Sequence, residues 1–243
     1  MRVEAGLLSV LLIFEIIGLA VFLTLLGANT PVNLSAYCGA DLQVLASGKN
    51  VYGLFLMGPV VFGTAFCVGE NRGGMSVVLW KSKKRLLRQQ IIFCAVWSLL
   101  IATIAVVVPL VLASAWEKTG MNWESVSSYF AIVNNAMLPE IQLWEVVAVN
   151  ALVQWTRNMI FSCVVLLSYW WNGNLLYGIL AVVCVCLIEL KMPQMGIVLG
   201  LVKADYEFWL SGVQKILAVA AAVGWLGSAG GVLYYLQKGK EFV

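Results

Sequence analysis

From Ala5 to Gly27 the chain carries a single charged side chain, Glu15, and five further apolar runs follow at 51–68, 90–114, 145–170, 175–190 and 215–236. No feature constrains the fold more. A helix needs about 20 mainly apolar residues to cross a bilayer, because lipid offers backbone groups no partner outside the helix itself. Charged residues make up 11% of the chain, against about a quarter in soluble domains. The expectation is an all-α polytopic membrane protein, one transmembrane domain over residues 1–243 with six transmembrane helices. The first run is longer than the apolar core of a signal peptide and reads as the first span. The fifth is short, and the "KMPQMGIVLGLVKADYEFWL" that follows is apolar enough to re-enter the bilayer or to lie along its interface.

Orientation follows from the cations. Six of the fifteen Lys and Arg, namely Arg72, Lys81, Lys83, Lys84, Arg85 and Arg88, fall between the second and third runs. Placing that loop inside gathers Arg2, Lys238 and Lys240 on the same side, so both termini are expected in the cytoplasm. The segments 28–50, 115–144 and 191–214 then face outward. Trp116, Trp123, Trp144, Trp170, Trp171 and Trp209 fall near the predicted interfaces, as aromatic belts do. Pro59 and Pro109 are expected to kink their spans.

Several chemistries are excluded. The chain has no His, so His-ligated metals, haem ligation by His and Ser-His-Asp triads have no residue to use. Of six Cys, five lie in apolar runs and read as small hydrophobes, while Cys38 lies in a predicted outer loop. Cys184 and Cys186, two apart on a helix, point away from each other and cannot share a metal. No catalytic residue, metal ligand set or GxxxxGK[ST] phosphate loop is present in the sequence. The chain does not read as an enzyme.

Charge inside a span costs roughly 2.5–3.5 kcal/mol and marks function by default. Glu15 interrupts the first span, and Arg157 interrupts the fourth. Asn150, Gln154 and Arg157, spaced i, i+4, i+7, share one helical face. Two readings stay open: Glu15 and Arg157 pair with each other or with loop groups inside the bundle, or all four polar residues line a translocation cavity. In the last span Ala220 with Gly224, and Gly227 with Gly231, are small-xxx-small pairs for close helix packing, within the chain or between subunits.

The basic loop opens with Glu70, Gly73 and Gly74 ("ENRGG") and continues through "MSVVLW" into "KSKKRLLRQQ". On physics alone it is either a positive-inside anchor or an amphipathic helix that docks a partner. With six spans and both ends inside, this pattern resembles an ABC type-2 transporter permease, small bacterial exporters of antimicrobial peptides and their immunity permeases in particular. The resemblance implies a coupling helix that seats on a cytosolic ABC ATPase, here Glu70, Gly73, Gly74, Val78, Trp80, Lys81, Lys84 and Arg85. It implies a re-entrant segment before the last span, a second permease copy or paralogue as partner, and location in a bacterial plasma membrane. ATP and Mg would sit on the ATPase, with no cofactor in this chain. Arg88-Gln89-Gln90 stands where the family often has a Lys before the third span.

Overall fold

The computed structural model describes residues 2–29, 36–70, 83–192 and 194–239. Among them every regular element is helical. Five are long and apolar enough to cross a membrane: α1 (Arg2–Asn29); the Lys49–Glu70 rod of α3 (Lys49–Val51), a π turn (Tyr52–Leu56) and α4 (Met57–Glu70); α5 (Lys83–Ala115); α7 (Leu143–Asn172); and α10 (Gly212–Gly239). The fifth predicted span forms α8 (Leu175–Lys191), 17 residues. At about 1.5 Å per residue it is roughly 25 Å long, short of a hydrocarbon core of about 30 Å. Three short helices complete the chain: α2 (Gly39–Ala46), α6 (Tyr129–Asn134) and α9 (Tyr206–Leu210).

α7 is the axis of the bundle. It packs against α4, α5, α8 and α10, while α1 leans on α5 and the α3–α4 rod. The main core gathers Leu19, Leu56, Val60, Ile101, Ile160, Phe161 and Leu166 from these helices. On α1 the stripe Glu15, Leu19 and Leu23 is fully buried, spaced four residues apart as one helical face requires. α1 and α10 are the outermost helices, with most of their apolar surface uncovered.

Pro59 does not simply kink its helix. It has no N–H to offer Phe55, four residues back, and its ring crowds that carbonyl. The π turn over Tyr52–Leu56 widens the helix there, and the Pro59 carbonyl accepts from Trp97 Nε1 at 3.1 Å. The same wide turn brings the Phe55 ring against Gly18 of α1, so close that a Cβ at Gly18 would meet it at 2.4 Å.

The segment 28–50, expected as an outer loop, instead contains α2, seven of whose eight residues are buried. α2 wedges between α5 and α7. Its first turn is tied to the segment after α5, with Gly39 N donating to Thr119 O at 2.9 Å and Ala40 N to Gly120 O at 3.0 Å. Around it a second core collects Cys38, Val44, Trp123, Phe130, Phe208 and Trp209. Three of the tryptophans expected at an interface, Trp123, Trp170 and Trp209, are core residues, while Trp144 and Trp171 are exposed. Trp123 and Trp209 bury indole area in the second core that α2 creates, and Trp170 in the main core, where its Nε1 donates to Gln90 Oε1 at 2.9 Å. Cys38, expected in a loop and open to labelling, is 0% exposed.

Candidate functional site

One face of α7 carries Asn150, Gln154, Arg157, Asn158 and Ser162, all buried. This ladder has two halves. The upper half serves backbone. Asn150 Nδ2 donates to Gln43 O at 2.5 Å, Gln154 Nε2 to Ala46 O at 3.3 Å and Arg157 NH1 to Ser47 O at 2.6 Å. Three rungs of α7 thus fasten the end of α2: Gln43 O, which already accepts from Ser47 N at 3.1 Å, takes a second donor, and Ala46 O and Ser47 O lie at the helix end, where no further turn follows to supply one. The lower half joins helices by side chains. Tyr52 OH donates to Asn158 Oδ1 at 2.8 Å, Asn158 Nδ2 donates to Ser98 O at 3.1 Å, and Thr64 and Ser162 share a hydroxyl bond at 2.9 Å.

Arg157 is 1% exposed. Besides Ser47, its guanidinium reaches Val202 O through Nε at 2.5 Å and Leu199 O through NH2 at 2.8 Å. It also lies over the Tyr52 ring, 5.7 Å from the centroid. All three nitrogens are thus engaged by carbonyls. Glu15 does not pair with it: both Glu15 carboxylate oxygens are buried and lack a hydrogen-bond partner.

The residue that completes Arg157 is Glu189, at the end of α8, which sequence reading passed over. Its Oε1 accepts from the amides of Ile197 (2.8 Å), Val198 and Leu199 (3.1 Å), and its Oε2 from Gly200 (2.8 Å). The carbonyls of the same stretch go elsewhere: Ile197 O to Trp225 Nε1, Val198 O to Val202 N, Leu199 O and Val202 O to Arg157. A buried anion therefore takes the amides, and a buried cation takes carbonyls, of one non-helical segment. Non-helical backbone at depth survives only when protein satisfies it in this way. Gly196 and Gly200 permit the tight path, since a Cβ on Gly200 would lie 2.7 Å from Gly196 Cα. Where paired short helices or an interfacial segment were expected, the described residues form turns through Val202 and then α9.

Asp41, in the first turn of α2, is buried in the second core. Trp123 Nε1 donates to its Oδ1 at 2.8 Å, Tyr206 OH to the same oxygen at 3.1 Å, and Cys38 N to its Oδ2 at 2.9 Å. Burial raises the Asp41 pKa above the ordinary carboxylate value, against these donors that hold it down. Burial, then the neighbouring Asp41 charge, pushes the Cys38 thiol up to about 12, leaving an unreactive thiol.

A cavity of about 650 Å³ opens beside the pinned segment, with Arg157, Lys49, Lys203, Asp205, Phe22 and Leu217 among its lining. Of the four residues read as cavity candidates, Arg157 lines it; Glu15, Asn150 and Gln154 do not. In the coupling segment, Gly73, Gly74, Val78, Trp80 and Lys81 lie outside the described residues, as does the Glu70 side chain. Lys84 and Arg85 are exposed in the first turn of α5, which begins earlier than expected because "KKRLLRQQ" is helical. On α10, Ala220, Gly224, Gly227 and Gly231 are exposed, and a Cβ at any of the three glycines would meet nothing within 4 Å. Within the chain α10 packs through its other face, Ala218, Trp225, Ala229 and Leu233. Among the described residues nothing packs on the small-residue face. Among the described residues no cluster of His, Cys, Asp or Glu could hold a metal ion.

No family model matches the chain, and neither a curated protein nor a solved structure does.

Proposed function

We propose that this membrane-embedded chain is the permease subunit of an ATP-driven ABC exporter, moving an amphipathic or apolar substrate such as a peptide, antibiotic or lipid-like molecule out of the cell. The observation that carries it is the basic segment 69–89, opened by Glu70-x-x-Gly73-Gly74 between two apolar runs. The termini and this segment face the cytoplasm in a bacterial plasma membrane. The segment seats on a cytosolic ATPase, a second permease copy or paralogue completes the pathway, and ATP and Mg belong to the ATPase. The cavity, lined by both charged and apolar side chains, supports an amphipathic cargo. The small-residue face of α10, which no described residue covers, supports a partner permease.

The test is co-purification with the ATPase encoded alongside it. Glu70→Ala and Trp80→Ala should insert normally and lose ATPase binding or coupling, because buried aromatic and charged anchors dominate such interfaces. Lys→Arg changes at 81, 83 and 84 should do little. Undiminished binding and coupling in both Ala variants would reduce the segment to a charged anchor. A second reading, a stand-alone secondary transporter or channel, keeps one observation: the unpartnered Glu15 carboxyl within a span, a natural ion or proton site. It requires transport without ATP. Arg157, engaged by three carbonyls, is the weaker half of that reading.

A further inference from the structure

We propose that Glu15 is a proton-binding site inside the membrane, its carboxyl held as the neutral acid by the packing of α1 against the π turn. Three observations carry this. First, the carboxyl is sealed and unmatched. Glu15 is 0% exposed, and among the described residues neither of its oxygens has a hydrogen-bond partner. Arg157, the cation that could have matched it, gives its three nitrogens to the carbonyls of Ser47, Leu199 and Val202. A bare carboxylate in apolar surroundings costs far more than the neutral acid, so such a group takes up a proton instead.

Second, the helices packed on α1 bring it no positive charge. These are α5, α4, the π turn and α2. Tyr52 on the π turn gives its hydroxyl to Asn158, and Asp41 on α2 is held by Trp123, Tyr206 and Cys38. Cys67 on α4 and Cys94 on α5 are thiols. Lys84, Arg85 and Arg88 are exposed in the first two turns of α5, and Lys49 of α3 lines the cavity beside Arg157. Third, the contact leaves no room for a larger ligand. The Phe55 ring lies where a Cβ on Gly18 would be, 2.4 Å away, and it also packs on Phe22 with centroids 5.5 Å apart. Leu19 and Leu23 close the same stripe. A metal ion needs several oxygen ligands around it, whereas a proton needs no cavity and no further ligand. The proton can therefore leave only as α1 parts from the π turn, which makes proton occupancy and the seating of α1 one linked equilibrium. That the proton drives transport rests on the second reading above; that it is bound does not.

Infrared spectroscopy of the full-length chain in detergent reads a protonated carboxyl directly through its C=O stretch. The expected result at neutral pH is a band at the high-frequency end, where an acid without a hydrogen bond absorbs. It should shift when the protein is made with glutamate isotope-labelled at the side-chain carboxyl carbon, persist in Asp41→Asn, and be lost in Glu15→Gln. Sodium or potassium chloride should leave it unchanged. Gln has the shape of the neutral acid, so Glu15→Gln should fold and elute as the parent does. Absence of the band from the parent, its full persistence in Glu15→Gln, its loss on adding either salt, or failure of Glu15→Gln to fold would each overturn the site. No ATPase and no transport assay enters this test. A proton site that stands while transport requires ATP would leave the exporter reading intact, and loss of the band would leave the Glu70 and Trp80 outcomes untouched.

Discussion

Replacing Glu189 by Gln changes one atom and should cost a large share of the fold's stability. The carboxylate accepts four amides, three on Oε1 and one on Oε2. Gln keeps Oε1 as an acceptor but turns a donor toward the Gly200 amide, leaving that N–H without a partner. An unmet buried donor costs about 1–3 kcal/mol, and bonds to a charged acceptor lose part of their strength when the charge goes. Arg157 meanwhile loses the nearby anion that balances it across the Leu199 peptide. The sum should be about 3–5 kcal/mol, the range seen when one partner of a buried pair is removed, against a total of roughly 5–15 for a typical protein. Arg157→Gln should cost a similar amount. The double variant should cost clearly less than the two singles together, by about 1–3 kcal/mol, because once the 196–202 segment is released by one change the other anchor has little left to hold. Reversible unfolding in mixed detergent, followed by tryptophan emission and by proteolysis within 194–205, gives all four corners of the cycle. Strict additivity, or a Glu189→Gln protein as stable as the parent, would refute the claim that the two ions act through one segment.

The same geometry fixes three other outcomes. Impermeant maleimide should not label Cys38 in the folded protein and should label it after denaturation; with native Cys removed, Val126→Cys and Lys84→Cys should react from opposite sides of the membrane, and labelling from one side would break the topology. Asp41 binds its proton more tightly folded than unfolded, so stability should fall as pH rises from the unfolded value near 3.8 through its raised folded value, and be fully present at the acid end. Asp41→Asn, which keeps an acceptor for Trp123, should flatten that slope in a tryptophan-monitored titration of stability. Gly200→Ala should lose about 2 kcal/mol or more through backbone overlap with Gly196, whereas Gly224→Ala should be neutral or slightly stabilising, since its Cβ meets nothing and alanine favours helix. Equal effects at the two positions would show the tight 196–200 path to be slack.

Much of the bundle is legible in residue order because bilayer physics acts on long windows. A span averages over some twenty residues, so the six apolar runs emerge as helices even where ends move, as at α5, whose basic lead-in proved helical. Short buried elements escape the same reasoning. α2 is only "GADLQVLA", too brief for a periodicity to stand out, and its burial follows from what meets it: Gln43 Nε2 donates to Val106 O at 2.7 Å, and Asn150 reaches its last turn from α7. Trp123 shows why the aromatic-belt rule overreached. Its indole N–H found Asp41, whose own burial no linear pattern reveals.

The site was legible by half for a similar reason. Asn150, Gln154 and Arg157 at helical spacing announce a polar face, and that face exists. What such spacing cannot announce is the identity of the partner, because a side chain seeking donors or acceptors can use backbone as readily as another side chain. The search for an opposite charge led to Glu15, in the middle of the first run, and passed over Glu189 at the end of the fifth. The carbonyls of Ser47, Leu199 and Val202 were available instead, freed by one helix end and a turn. Glu189 left one faint mark: an acid closing an apolar run, followed within a dozen residues by Gly196 and Gly200, as a strand of amides bent around a carboxylate needs small residues to bend. With Arg157 committed to backbone, Glu15 stands alone on the inner stripe of α1, facing the π turn with no donor in reach. Glu15→Gln should then leave stability within about 1 kcal/mol of the parent, unlike Glu189→Gln, since it removes no bond and no buried partner is stranded. A loss as large as that at position 189 would mean that Glu15 does hold a partner in the membrane, and the ion-site reading would move ahead of the coupling one.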